Sequence, residues 1–162
     1  MVERAVLASV DGSPISRKVA RVALRLAERL GLQLVLLHVV SEHLMAGIQA
    51  VGRPSPGESG AEPILALKDE TLNEELRVVH SIVSELMESG VKVKLLSLTG
   101  DPSCIILEQA EKLAAAIVMG YKGGGFLDPS GGRVLKKVIE KATVPVIVIT
   151  PNLNPDIIDA LF

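Results

Sequence analysis

"AAIVMGYKGGGFLDPSGGRVLKKVI", residues 115–139, decides how the chain is read. Ala115 to Met119 is a short apolar run, the pattern of a buried strand. A glycine-rich loop follows it. Val134, Leu135, Val138 and Ile139 then recur at helical spacing. Strand, glycine loop, helix is the repeating unit of an α/β fold. It is also a way to hold an anion. Glycines let backbone N–H groups turn inward and let an oxygen approach closely. The helix behind them offers unpaired N–H groups and the positive end of its dipole. A glycine loop alone does not distinguish an anion site from a loop that binds nothing.

The same unit recurs on both sides. "RAVLASV" (Arg4–Val10) reads as a first strand, followed by "DGSPIS". Ser13 is placed to cap a helix and Pro14 to open it. Val19, Val22, Leu26 and Leu30 mark the apolar face of that helix, Arg17, Arg21, Arg25 and Glu28 the other face, and Gly31 its end. "LQLVLLHVV" (Leu32–Val40) is almost wholly apolar, as a strand covered on both faces must be. Residues 41–63 form a loop rich in Gly, Pro and Ser. The next helix has an apolar stripe of Leu72, Leu76, Val79, Val83 and Leu86 and stops at Gly90. Its glutamates, Glu70, Glu74, Glu75, Glu85 and Glu88, read as a solvated face. "VKVKLLSL" (Val91–Leu98) alternates, with Lys92 and Lys94 guarding a sheet edge. Asp101 caps and Pro102 opens another helix. After the glycine loop, a helix runs to about Ala142 and "VPVIVIT" (Val144–Thr150) is a fifth strand without charge.

Alternation of this kind implies a parallel sheet with helices on both faces. Ligands in such sheets bind beyond the C-terminal strand ends, where the strand order reverses. Both "DGS" and the glycine loop lie at such ends. An uncharged strand at an edge would pair with a second copy of the chain. The opposite expectation is that it lies inside the sheet or under the tail "NPDIIDALF".

Composition narrows the function. The 162 residues fit one domain, 48% of them hydrophobic, with a net charge of −2 and three aromatic residues. A near-neutral surface and so few aromatics argue against nucleic acid as a partner. No apolar run reaches membrane-spanning length, and the start of the chain does not read as a signal peptide. The single cysteine, Cys104, in the run "SCIIL", reads as a small buried core residue and fits a reducing cytoplasm. His38, within the second strand, reads as a satisfied core residue; His43 and His80 have no evident partner. No P-loop, dinucleotide fingerprint, nucleophile elbow or histidine metal cluster is present.

Three segments in order, "VLASVDGSPISRKVARVALRLAERLGLQLVLLHVV", "GDPSCIILEQAEKLAAAIVMGYKGGG" and "VPVIVI", resemble the universal stress protein family over nearly the whole chain. The resemblance implies a universal stress protein domain over residues 1–151 with a tail at 152–162. It implies a three-layer, adenine nucleotide alpha-hydrolase-like sandwich whose five parallel strands run in the order 3-2-1-4-5, and a homodimer through the last strand. Many members bind ATP with a G-x-x-G, nine further residues, then Gly-Ser or Gly-Thr. Carried over, the site is Ser9, Val10, Asp11, Val39, Met119, Gly120, Gly123, Gly132, Arg133 and Val134. Asp11 would face ribose and the nearby phosphates, and the Val39 backbone would meet adenine. The implied ligand is ATP or AMP, with Mg²⁺ as a companion ion and little or no hydrolysis, since no general base other than Asp11 is evident.

The sequence departs from that pattern in three places. Eight residues, not nine, separate Gly123 from Gly132. Arg133 stands where the family has a hydroxyl. Ala115 stands where an acidic residue usually precedes the fourth strand. Arginine can replace a hydroxyl contact with a forked one to phosphate, or it can fill the pocket. The two readings are therefore a nucleotide-binding stress-response module and a dimeric interaction protein of the same fold that binds no nucleotide.

Overall fold

The computed structural model describes residues 3–41, 62–122 and 131–161. Within these, five strands form one all-parallel sheet: β1 (Ala5–Ser9), β2 (Gln33–Ser41), β3 (Val93–Gly100), β4 (Ala114–Gly120) and β5 (Val146–Ile149). Their spatial order is β3-β2-β1-β4-β5, as expected. The helices are α1 (Ser16–Leu30), α2 (Glu62–Met87), α3 (Pro102–Leu113), α4 (Gly131–Lys141) and the short α5 (Pro155–Ile158).

Period-two alternation divides the core into two. Val6 and Ala8 of β1 face α1 and α2, packing with Val19, Val22, Ala23, Val79 and Ile82. Ala5 and Leu7 face the other way, toward Ile106 and Ala110 of α3 and Leu135 and Val138 of α4. Right-handed crossovers require this. The chain steps outward from β1 to β2 to β3 and then returns past β1 to β4 and β5. Reversing the direction of travel puts the later helices on the opposite face. Val19 and Val22 are each 1% exposed, and burial on that scale contributes about 1.5–3 kcal/mol per side chain.

The lysine-guarded edge is placed as its composition suggested, and of the two alternatives left open for β5 the fold takes the edge. Lys92, just ahead of β3, and Lys94 within it are exposed at one edge. β5 is the other edge and pairs only with β4 among the described residues. Pro145 O and Ile149 O both accept from the β4 side, so the N–H and C=O of Val146 and Val148 point to the open edge. The tail does not cross that edge. It folds onto α1, where Ile158 is wholly buried and Asp159 O accepts from Arg25 Nη2 at 2.9 Å.

Several local expectations are corrected. α1 starts at Ser16, with Ile15 at the cap position and no side-chain cap: the Ser16 N–H donates to the Ser13 carbonyl at 3.0 Å, not to its hydroxyl. Leu30 is 53% exposed, outside the buried stripe. Among the described side chains of α2, the buried positions are Val79, Ile82 and Leu86, while Leu72, Leu76 and Val83 are only half-buried. Cys104 is exposed rather than buried. Ser103, Ile106 and Ala110 form the inner face of α3, and Cys104 is one position off it. β1 and β5 are shorter than predicted, whereas β2 begins one residue later and reaches Ser41.

Candidate functional site

The strand order reverses at β1 and β4, and a cleft of about 340 Å³ opens at their C-terminal ends. Register explains why. Ser9 pairs with Leu37, so Val39 extends past the end of β1; Ala8 pairs with Val118, so Met119 lies level with Ser9 and Gly120 extends past it on the other side. The cleft is walled by Ser9, Val39, Met119 and Gly120 together with Val10, Asp11, Ser13, Ile15, Ser16, Val19, Glu75, Pro102, Ile106, Lys122 and Val134. Its size lies within the range of small-molecule sites.

Seven of the ten expected site residues line it: Ser9, Val10, Asp11, Val39, Met119, Gly120 and Val134. Gly132 and Arg133 lie exposed at the start of α4, outside the lining. A Cβ on Gly132 would meet nothing within 4 Å, so packing among the described residues does not demand glycine there. Gly123, most of the glycine loop, most of the 41–63 loop and His43 lie outside the described residues.

Asp11 organises the turn after β1. Its Oδ1 accepts from Ser13 N at 3.0 Å and from Ser16 Oγ at 3.1 Å, while its own N–H donates to Ser16 Oγ at 3.1 Å. Its Oδ2 forms an ion pair with Lys122 Nζ. Burial pushes the Asp11 carboxyl up. The Lys122 and Ser13 hydrogen bonds and the Lys122 charge outweigh that and hold it below its ordinary value. The carboxylate is therefore charged and internally paired.

Gly120 is required by packing. A Cβ there would stand 2.8 Å from Ile15 Cγ2 and 3.2 Å from Val19 Cγ2, so the end of β4 can lie beneath α1 only without a side chain. Gly12 serves a second close approach. Its φ is +79°, and a Cβ would stand 2.9 Å from Glu75 Cα. Glu75, expected on a solvated face, instead lines the cleft. It reaches back to His38, whose Nε2 lies 3.5 Å from Glu75 Oε2 and whose Nδ1 lies 3.2 Å from Ser97 Oγ. His38 is wholly buried and partnered, as predicted.

On the α3 side, Asp101 caps the helix as expected. It accepts from Ser103 Oγ at 2.6 Å and Cys104 N at 2.9 Å, and chiefly the Ser103 bond lowers its carboxyl to about 2. Pro102 follows it into the cleft wall.

Sequence reasoning missed Lys122, Ser16 and Glu75 as site residues. Lys122 was visible in G-Y-K-G as the cation two residues after Gly120. Glu75 was also legible: it falls four, seven and eleven residues before Val79, Ile82 and Leu86, on the buried stripe itself. Among the described residues, no three His, Cys, Asp or Glu side chains gather as a metal site. No helix there is long and apolar enough to cross a membrane.

Comparison with known proteins adds the lineage. The model of the universal stress protein family matches residues 3–150. A universal stress protein of Bacillus subtilis is 29% identical over 146 residues, covering 89% of this chain and 97% of that protein. One of Methanocaldococcus jannaschii is 32% identical over 146 residues, covering 89% of this chain and 80% of that protein. The universal stress protein of Archaeoglobus fulgidus solved in complex with dAMP matches with a TM-score of 0.62 at 24% identity, covering 92% of this chain and 99% of that one. The shared architecture is the adenine nucleotide alpha-hydrolase-like sandwich. By its matched span and its relatives, the chain belongs to the universal stress protein family.

Proposed function

We propose that the chain is an adenine nucleotide-binding module of the stress response, taking ATP or AMP across the ends of β1, β2 and β4 without rapid turnover. The observation that carries this reading is the cleft at the strand reversal. It brings Asp11, the Val39 backbone, Gly120 and the Lys122 ammonium together beside the start of α4. A phosphate there would meet a cation and the positive end of a helix. The Val39 end of the cleft is mainly apolar and suits a base. The binding of dAMP by the Archaeoglobus relative supports the ligand class. Arg133, exposed on the first turn of α4, replaces the family's hydroxyl with a charge that can reach phosphate. Mg²⁺ would enter on the phosphates. We also propose that two copies pair through the open edge of β5, where Val148 is 36% exposed. A protein partner of unassigned identity would read the nucleotide state of that dimer.

The test is direct. Freshly purified protein is denatured and its supernatant resolved by anion exchange, and stripped protein is titrated with ATP and Mg²⁺ by calorimetry. Near-stoichiometric release of adenine nucleotide, or micromolar binding, is the expected result. Neither release nor heat would leave the second reading, an interaction protein of the same fold. One feature already fits that reading: Asp11 is fully engaged by Ser13, Ser16 and Lys122.

A further inference from the structure

We infer that Glu75 is the specificity residue for the sugar, accepting hydrogen bonds from the vicinal hydroxyls of a ribonucleotide. This rests on the nucleotide reading above. The placement of Glu75 is built by three separate elements. Gly12, at φ +79°, lets the turn after β1 lie against the α2 backbone at this residue. β2 supplies His38, wholly buried, with Nε2 3.5 Å from the carboxylate. β3 supplies Ser97, which holds the other ring nitrogen at 3.2 Å and so fixes the ring plane. His38 acts here as a positioning residue: the contact is long and orients the carboxylate more than it binds it.

Charge then assigns the two ends of the cleft. Asp11 has its oxygens committed to Ser13 N, Ser16 Oγ and Lys122. Among the described residues, Glu75 Oε1 carries no hydrogen bond, and the side chain is 34% exposed. A carboxylate repels phosphate, so the phosphates belong with Lys122 and the start of α4. What remains for Glu75 is a neutral donor. A diol offers two O–H groups to two carboxylate oxygens, the same chemistry by which acidic residues hold ribose in dinucleotide folds. A charged acceptor about one-third exposed is expected to favour the hydroxylated sugar by about five- to tenfold.

The test titrates the stripped full-length protein by calorimetry with ATP, 2′-deoxy-ATP, 3′-deoxy-ATP and ITP. The same series is run on Glu75→Ala and Glu75→Gln, each checked by thermal melting. The wild type should prefer ATP over both deoxy analogues by about five- to tenfold. Glu75→Ala should bind all three alike, and the isosteric Glu75→Gln should fall between. His38→Gln should reduce the preference, and should change nothing further when Glu75 is already Ala. Equal binding of ATP and its deoxy analogues by the wild type would overturn the inference. So would a preference that survives in both Glu75 variants, or one that falls on ATP over ITP instead. Any of these leaves nucleotide binding itself intact. Failure of the wild type to bind any of the four would instead overturn the nucleotide reading, and this inference with it.

Discussion

Gly120→Ala adds one methyl group at the point where β4 passes beneath α1. That carbon would stand 2.8 Å from Ile15 Cγ2, 3.2 Å from Ile15 Cδ1 and 3.2 Å from Val19 Cγ2. Ordinary contact between carbons begins near 3.5 Å. The Ile15 side chain must therefore retreat by more than half an ångström. Val19, at 1% exposure, has little room to give. Overpacking of this sort costs about 1–3 kcal/mol. In a domain of this size, that lowers the melting temperature by about 2–4 °C per kcal/mol. The assay is urea denaturation followed by circular dichroism, with the slope checked for constancy. A double-mutant cycle isolates the cause. Ile15→Ala alone removes a nearly buried side chain and destabilises. In the Gly120→Ala background it should cost about 1 kcal/mol less, because it also removes the clash. Strict additivity of the two changes, or a Gly120→Ala effect below about 0.5 kcal/mol, would refute the close approach as the reason for glycine.

Val148→Pro deletes an edge donor that the ladder to β4 does not use. It should convert a β5-paired dimer to monomer in sedimentation while leaving the far-UV spectrum unchanged; a persisting dimer would exclude that edge. Asp101→Ala should cost about 0.5–2 kcal/mol at neutral pH through loss of the α3 cap. The Asp101 carboxyl is lowered in the fold from 3.8 to about 2, so its contribution is full above pH 3.8 and is lost as the pH falls through about 2. The gap between mutant and wild type in acid titrations should narrow over that window, and a constant gap would contradict the assignment. Lys122→Met should weaken ATP by about five- to tenfold and leave adenosine unchanged, read by calorimetry. Equal weakening of both would move the phosphates away from Lys122.

The sheet was legible because its signals are local. Apolar runs closed by glycine or by a cap are short-range facts, and the handedness of crossovers converts their order into a topology. The lysines beside and within β3 marked one edge, whereas the uncharged β5 fitted either an edge or an interior strand until the fold placed it. The misread details share one cause, a choice between neighbouring partners that only the folded chain makes. Ser13 looked like a cap, but the Ser16 N–H bonds the Ser13 carbonyl instead of its hydroxyl, and the helix starts only at Ser16. Cys104 looked buried because "SCIIL" is apolar, yet a helix buries by phase, and Ser103 holds the inner position.

Glu75 shows how far that phase argument reaches. Among the glutamates of α2 it is the one whose spacing places it in line with Val79, Ile82 and Leu86. A carboxylate on a buried stripe needs a polar neighbour or an opening to water. Here it has both, because α2 at this point lies against the turn after β1, the shorter neighbour of β2. His38 is the polar neighbour, two residues short of where the sequence expected β2 to end. The cleft is the opening. The same stripe that packs the helix against the sheet thus delivers a charged group to the rim of the sheet, in register with the turn after β1 that Gly12 brings into contact with it. A polar residue that interrupts a buried stripe close to a strand end is, on this reasoning, a site residue before it is a surface one.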